Sequence, residues 1–344
     1  MVRDLRKCYH RGMPSLNNLP DPSPDPWLVR FELRREWIEP AVRACRLFNS
    51  AVDALFYDVP RLQAALRHGD TLADPNHKCP SRVTSFDALA DPEGSLLLID
   101  AMRPTFVHRY DSVEKYIDSR HPEAHAVRVA SITGVGSSAL GSAALAWDIS
   151  RALGEPVLAI VPGYGVADML LQGLGGWFGF GLFNALNAKG ATQSALASTA
   201  PKLASIGRKL PGTVPEAPTI HGAPVFRRGS GSSDVLHALL SRPDAQSLQL
   251  LVGHSKGALQ IGNALLGLAP ECTEGLRVVT LGCPVERRVA NVHYHQYLGL
   301  FDALGQLNAW GNLPDDWSAT EHSTNPWVFP AMDAGGCARP DAPA

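Results

Sequence analysis

A serine between two glycines, placed where an apolar run meets a helical pattern, constrains this chain more than any other feature. Residues 248–252 form a short apolar run that is typical of a buried strand. The pentapeptide GHSKG, residues 253–257, comes next, and beyond it apolar residues recur at helical spacing. Glycine permits a strand to turn directly into a helix because it has no side chain to block the close approach. The pattern therefore predicts Ser255 in a strained turn, with its hydroxyl exposed at the helix N-terminus.

Composition is consistent with one large α/β domain and its additions. The chain has 344 residues, of which 45% are hydrophobic and 19% are charged, which suffices for a large core. The net charge of −2 and the lack of a basic patch argue against a nucleic-acid partner. Six scattered cysteines show no metal-like spacing, so we expect reduced thiols and no metal. We expect no cofactor either. The charged N-terminus has no apolar signal region, which predicts a cytoplasmic location.

A strand, a Gly-rich loop, a helix and a second strand follow one another upstream of the serine. The apolar run 127–132 ends in the loop 133–138, and residues 142–153 and 156–161 have the patterns of a helix and a strand. This order predicts a mostly parallel sheet flanked by helices. The loop could also cradle a phosphate or be a plain tight turn, but its glycines do not follow the dinucleotide-binding spacing.

The remaining segments predict the organisation of the chain. Residues 1–122 are interpreted as an N-terminal arm and a helical extension, and residues 123–332 as the core. A lid-like insertion is predicted at about residues 167–232, and within it residues 190–232 are rich in alanine, serine, proline and glycine. Residues 333–344 are predicted to be a disordered tail.

The insertion contains twenty consecutive uncharged residues, which begin at Met169 and end at Ala188. This length would just span a bilayer, but five glycines and several polar residues interrupt it. We therefore predict a Gly-rich helix pair that covers a pocket, with contact to a membrane or another apolar surface, or a transmembrane span, as the alternatives. Its aromatic residues would line an apolar groove or belong to the core; they are Trp177, Phe178, Phe180 and Phe183.

Three segments together resemble the α/β-hydrolase superfamily. Residues 132–168 resemble its third strand, oxyanion loop, first helix and fourth strand, VGHSKGAL resembles the lipase and esterase nucleophile turn, and VVTLGCPV resembles the following strand. The resemblance covers about residues 126–330. Two residues depart from the common pattern: Thr133 stands where histidine is usual, and Lys256 stands where leucine or methionine is frequent.

The resemblance implies a nucleophilic serine, an acid and a histidine, in that order along the chain. Ser255 is the nucleophile, and His322, in a late loop, is the expected base. His293 and His295 lie within the predicted strand 292–301 and are interpreted as structural residues.

The acid and the oxyanion hole follow from the same resemblance. Asp302 directly follows a predicted strand, where catalytic residues of open parallel sheets gather, and Glu286 is the alternative acid. The oxyanion hole requires two backbone N–H groups, which the family pattern assigns to Lys256 and Val135.

These residues predict a lipase- or esterase-like serine hydrolase that cleaves a small-molecule or lipid-like carboxylic ester through an acyl-enzyme. A thioesterase or an intracellular polyester depolymerase would use the same triad, and the sequence does not separate them. A different alternative is a non-catalytic protein of the same fold that binds an apolar partner through residues 169–188.

Overall fold

The computed structural model describes residues 52–72, 95–102, 106–110, 113–119, 127–134, 137–162, 219–220, 223–224, 231–241, 247–265, 268–285, 288–309 and 312–339. The predicted N-terminal arm, the uncharged segment and most of the predicted insertion lie outside these residues. None of the helices in the described ranges is both long enough and apolar enough to cross a membrane.

The strands of the described residues are short and mostly buried. They are β1 (Leu96–Asp100), β2 (Phe106–Tyr110), β3 (Val129–Ile132), β4 (Val157–Ile160), β5 (Thr219–Ile220), β6 (Ala223–Pro224), β7 (Leu250–His254), β8 (Arg277–Leu281), β9 (His293–Gly299) and β10 (Asp316–Ser318).

Helices alternate with these strands along much of the chain. They are α1 (Val59–Leu72), α2 (Val113–Ile117), α3 (Ala139–Leu153), α4 (Gly231–Leu240), α5 (Lys256–Leu265), α6 (Ala303–Ala309) and α7 (Ala334–Ala338), with a 3₁₀ turn at Pro270–Cys272. Residues 52–56 are also helical and end directly before Tyr57.

Eight strands form one mostly parallel sheet in the order β10-β9-β8-β7-β3-β4-β1-β2, while β5 and β6 form a separate antiparallel pair. All neighbours from β10 to β4 are parallel, and β1 is antiparallel to both β4 and β2. Across the sheet, β4 is added on one side of β3, and β7 to β10 are added in turn on its other side. The order therefore reverses beside β3, and ligands of open α/β sheets bind at such a switch point.

Successive strand residues face opposite sides of the sheet, and each side is covered by helices. Leu97 and Val252 belong to a core cluster shared with α1, α3 and α7. Leu98 and Leu251 belong to a second cluster, shared with α2, α4 and α5. Burial on both faces explains why the strand sequences are continuous apolar runs rather than alternating ones.

The predicted core elements are present, with ends that differ by a few residues. β7 runs two residues further than the apolar run 248–252, and α3 begins three residues before the predicted helix 142–153. Ser138 caps α3 by accepting a hydrogen bond from the N–H of Leu140, which explains the earlier start. The structure thus confirms an α/β architecture built on a mostly parallel sheet.

The predicted extension contributes to this sheet. β1 and β2 come from residues before position 122, and β1 pairs with β4 over four residues, from Leu96 opposite Ile160 to Ile99 opposite Val157. All four of these β1 residues are fully buried. The described part of the extension is therefore continuous with the core.

The prediction of a disordered tail is wrong for residues 333–339. Asp333 caps α7 by accepting from the N–H of Gly336, and Ala334 and Ala338 are fully buried. Small residues allow this close packing: a Cβ atom placed on Gly335 would lie 2.7 Å from the Cβ of Ala152. The sequence DAGGCA lacks large apolar residues, so its composition resembled that of a loop.

Candidate active site

The predicted site lies where several parallel strands end on the same edge of the sheet. Ser255 directly follows β7, Gly282 directly follows β8, and Asp302 lies three residues beyond β9. Thr133 follows β3 and begins the Gly-rich loop. Because these strands are parallel, their carboxyl ends meet at one edge, beside the switch point of the sheet.

Ser255 occupies a strained turn between β7 and α5. Its φ of 54° is in the left-handed region, which residues with side chains rarely adopt. Its N–H donates to the carbonyl oxygen of Leu281 on β8 at 2.7 Å, and its own carbonyl accepts from the N–H of Ala258 at 3.0 Å. The predicted strand, turn and helix are therefore all present, but Ser255 is only 5% exposed, so the prediction that it stands exposed above the sheet is not met.

The two glycines around Ser255 have no room for a side chain. A Cβ atom at Gly257 would lie 2.0 Å from the carbonyl oxygen of Ile132, and one at Gly253 would lie 2.6 Å from the Cα of Ala258. Such contacts are far inside van der Waals distance, so β3, β7 and α5 approach this closely only with glycine at both positions. This is the steric role expected for the two residues.

Asp302 and His322 form a buried hydrogen-bonded pair. His322 Nδ1 lies 2.9 Å from each carboxylate oxygen of Asp302, and the side chains are 8% and 0% exposed, respectively. A carboxylate only accepts hydrogen bonds, so Nδ1 carries the proton and donates it. In the neutral ring this leaves Nε2 without a proton, as a general base requires. The N–H of Gly305 also donates to Asp302, which holds the carboxylate in place.

Gly282 brings this pair against the turn that holds Ser255. A Cβ atom at Gly282 would lie 2.9 Å from both Asp302 Oδ2 and His322 Nδ1, and the φ of this glycine is +68°. Its neighbour Leu281 accepts the hydrogen bond from the Ser255 N–H. The ring centroids of His322 and of His254, the residue before Ser255, are 4.8 Å apart. Asp302 and His322 therefore lie beside the turn that holds Ser255, although the three residues are distant in the sequence.

The other predicted site residues are only partly described. Lys256 begins α5 directly after Ser255 and is buried, so its backbone lies at the helix N-terminus, where the helix dipole favours negative charge. Val135, the other predicted oxyanion donor, lies outside the described residues, as do Glu286 and the aromatic residues of the uncharged segment.

The two histidines interpreted as structural have partners elsewhere or are exposed. His293 is exposed at the start of β9. His295 pairs with Asp316 of β10 and stacks on Tyr297, with ring centroids 4.4 Å apart. The contacts of His295 agree with the structural interpretation, whereas the exposure of His293 gives it no such support.

Sequence reasoning did not find the residues that hold the Gly-rich loop. Asp53 is fully buried and accepts from the hydroxyl of Ser137 at 2.8 Å and from the N–H and hydroxyl of Ser138. The hydroxyl oxygen of Tyr57 accepts from the N–H of Gly134 at 3.0 Å. The only sequence signal is a polar residue amid an apolar helical pattern, and it does not reveal a partner over 80 positions away.

Burial raises the pKa of Asp53 from its usual 3.8 to about 6, although hydrogen bonds from Ser138, Ser137 and Gly141 oppose the shift. Between about pH 4 and 6 the folded protein therefore holds a proton that the unfolded chain releases. The stability contributed by Asp53 falls as the pH rises through this window. A shift of about 2 pKa units corresponds to roughly 3 kcal/mol.

The Asp53→Asn variant should lose this pH dependence because asparagine does not titrate. The free energy of unfolding of wild type minus that of the variant is expected to fall by about 3 kcal/mol between pH 4 and pH 7. Urea unfolding curves of both proteins at several pH values measure it. A difference that is constant across this range would contradict the raised pKa of Asp53.

No protein-family model matches the chain, and neither the curated proteins nor the solved structures gave a match. The α/β sheet is a finding of the structure, whereas the resemblance to α/β hydrolases stays a prediction based on the motifs and on the arrangement of the residues described above.

Proposed function

We propose that this protein is a serine hydrolase of the α/β-hydrolase superfamily that cleaves a carboxylic ester through an acyl-enzyme. One observation carries the proposal: a buried Asp302–His322 pair packs against Gly282, beside a serine held in a left-handed turn. A histidine whose Nδ1–H is bound by a carboxylate is prepared to accept a proton at Nε2. The serine, acid and histidine also follow the chain order of that superfamily.

The proposed reaction assigns one role to each of the three residues. Ser255 Oγ attacks the ester carbonyl carbon while His322 Nε2 takes the hydroxyl proton, and His322 then gives that proton to the departing alcohol. Water then attacks the acyl-enzyme in the same way: His322 takes a proton from the water and returns it to Ser255 Oγ as the acid leaves. Asp302 keeps His322 in the Nδ1–H tautomer and stabilises the imidazolium that forms.

The negative charge that develops on the carbonyl oxygen needs backbone donors. We assign these to the N–H groups of Lys256 and Val135, on the helix N-terminus and in the Gly-rich loop. The N–H of Gly134 already donates to Tyr57, which supports a donor later in the loop rather than at Gly134 itself.

The segments that carry Asp302 and His322 also expose large apolar side chains. Phe301, next to Asp302, is 66% exposed, while Trp327 and Phe329, in the loop after His322, are 77% and 93% exposed. Exposed apolar side chains on the same segments as the proposed acid and base favour a lipid-like or other apolar ester. Thioesters and polyesters remain alternatives because their cleavage uses the same residues.

A fluorophosphonate probe tests the proposal directly because it reacts only with an activated serine. We expect stoichiometric labelling of the folded protein, with the adduct on the peptide that contains Ser255, and no labelling after unfolding in urea. A panel of esters and thioesters of increasing acyl length then defines the substrate class. Failure of the folded protein to label would exclude the hydrolase and favour a non-catalytic protein that binds an apolar partner.

A further inference from the structure

A directed chain of hydrogen bonds joins the Gly-rich loop to the backbone of His322. His254 Nε2 lies 2.8 Å from the carbonyl oxygen of His322, and because a carbonyl only accepts, Nε2 carries the proton. His254 Nδ1 must then accept, so the Tyr57 hydroxyl, 2.8 Å away, donates to it. The Tyr57 oxygen in turn accepts from the N–H of Gly134 at 3.0 Å.

The hydrogen-bond chain is buried inside the protein, so water does not compete for its hydrogen bonds. Tyr57 and His254 are 2% and 1% exposed, and the rings of Tyr57 and Phe56 lie 5.4 and 6.4 Å from the ring of His254. Burial, aided by the nearby His322, lowers the pKa of His254 to about 3. A neutral ring carries one N–H, and the His322 carbonyl holds it at Nε2, which sets the direction of every hydrogen bond in this series.

The segment before α1 also holds the loop that carries His322. The hydroxyl of Ser323 donates to the carbonyl of Leu55 at 2.8 Å, and the N–H and hydroxyl of Thr324 donate to the carbonyl of Phe56. The side-chain amide of Asn325 donates to the carbonyl of Ala54. The helical residues 52–56 and Tyr57 therefore contact both the Gly-rich loop and the histidine loop.

We propose that Tyr57 and His254 are positioning residues of the proposed reaction, setting the distance between the oxyanion loop and His322 through this hydrogen-bond chain. The inference rests on the proposed function. Neither side chain is assigned contact with the substrate. Displacement of a reacting group by about 1 Å can cost about 10²-fold in rate, so a chain that fixes both groups acts on the transition state.

Substitutions at Tyr57 and at His254 interrupt the hydrogen-bond chain. Tyr57→Phe keeps the ring but removes the hydroxyl that links Gly134 to His254. His254→Ala removes both bonds of the ring, whereas His254→Gln keeps an amide N–H that reaches the His322 carbonyl. Tyr110→Phe is the matched control, since it removes a buried hydroxyl, bonded to Ser119, on the edge strand β2.

The measurement is kcat and KM for a p-nitrophenyl ester, with active sites counted by complete fluorophosphonate titration. We expect kcat per titrated site to fall about 10²-fold in Tyr57→Phe and His254→Ala with KM unchanged, and about 10-fold to be recovered in His254→Gln. The Tyr110→Phe control should keep the wild-type kcat. A purely structural role would lower the melting temperature or the number of titrated sites and leave kcat per site intact, which would overturn the inference.

Nitrogen-15 NMR of His254 gives a readout that does not depend on turnover. The neutral Nε2–H tautomer is expected at every pH from about 5 to 9 in wild type. A protonated ring at about pH 5, or an Nδ1–H tautomer, would overturn the hydrogen-bond chain. If the wild-type protein is not labelled by the probe, the proposed function is wrong. If the variants are labelled and keep the wild-type kcat, only the positioning role is wrong.

Discussion

Ester hydrolysis by the Ser255→Ala variant is expected to be about 10⁶-fold slower in kcat than hydrolysis by wild type, the size of loss found when a serine nucleophile is removed. Alanine offers no oxygen to attack the carbonyl carbon, so no acyl-enzyme forms. The change removes one atom from a side chain in a tight turn, and the fold should persist. Initial rates with short p-nitrophenyl esters measure the effect.

A serine outside the site provides the control for this variant. Ser95 precedes β1, is buried, and its hydroxyl has no hydrogen-bond partner in the part of the chain that the structure describes. Ser95→Ala should therefore keep the wild-type kcat. If Ser255→Ala hydrolyses esters as fast as wild type, any activity of the preparation comes from elsewhere, and the assignment of Ser255 as nucleophile is wrong.

Asp302→Asn is expected to lower kcat about 10⁴-fold while the protein stays folded. The N–H of Gly305 needs an acceptor, so the asparagine oxygen should face Gly305. The amide nitrogen then takes the other position, 2.9 Å from His322 Nδ1, and donates to it. An Nδ1–H would face this N–H donor, so we expect the hydrogen bond to reverse and the ring to adopt the Nε2–H tautomer, which has no lone pair at Nε2 to accept the Ser255 proton.

Another histidine–aspartate pair among the described residues supplies a matched control. Asp316→Asn makes the same chemical change beside His295, whose Nε2 contacts Asp316 Oδ2. We expect near wild-type kcat from this variant. Single-turnover labelling rates should show the same contrast as kcat. Equal losses in the two variants, or full activity in Asp302→Asn, would contradict the assignment of Asp302.

Local sequence patterns predicted the elements of the fold and the glycine-flanked turn at Ser255. Parallel strands buried on both faces are apolar along their whole length. Residues 127–132 and 156–161 can therefore be predicted as strands without knowing which strands they pair with. The glycines around Ser255 mark a close approach of β7 and α5 that no other residue permits. The prediction of a disordered tail is wrong for residues 333–339 because α7 is stabilised by packing against α3, and composition does not reveal packing.

The sequence could name Asp302 and His322 only as candidates from their order along the chain. That His322 meets Asp302 against Gly282, while His295 pairs with Asp316, depends on which strands are neighbours at the sheet edge. The interaction of Asp53 with Ser137 and Ser138 was not predicted, since residues 52–57 contain no motif of their own.

By itself, the sequence determined what local steric and hydrophobic rules govern: the parallel strands, the helices between them and a serine in a glycine-flanked turn. Only the tertiary structure decided which polar groups share that edge of the sheet. Tyr57 and His254, which are 197 positions apart, meet because the segment that ends at Tyr57 lies against the residues that end β3 and β7. A hydrogen bond between such distant residues leaves no periodic trace in the sequence, and buried polar groups find their partners only when the chain packs.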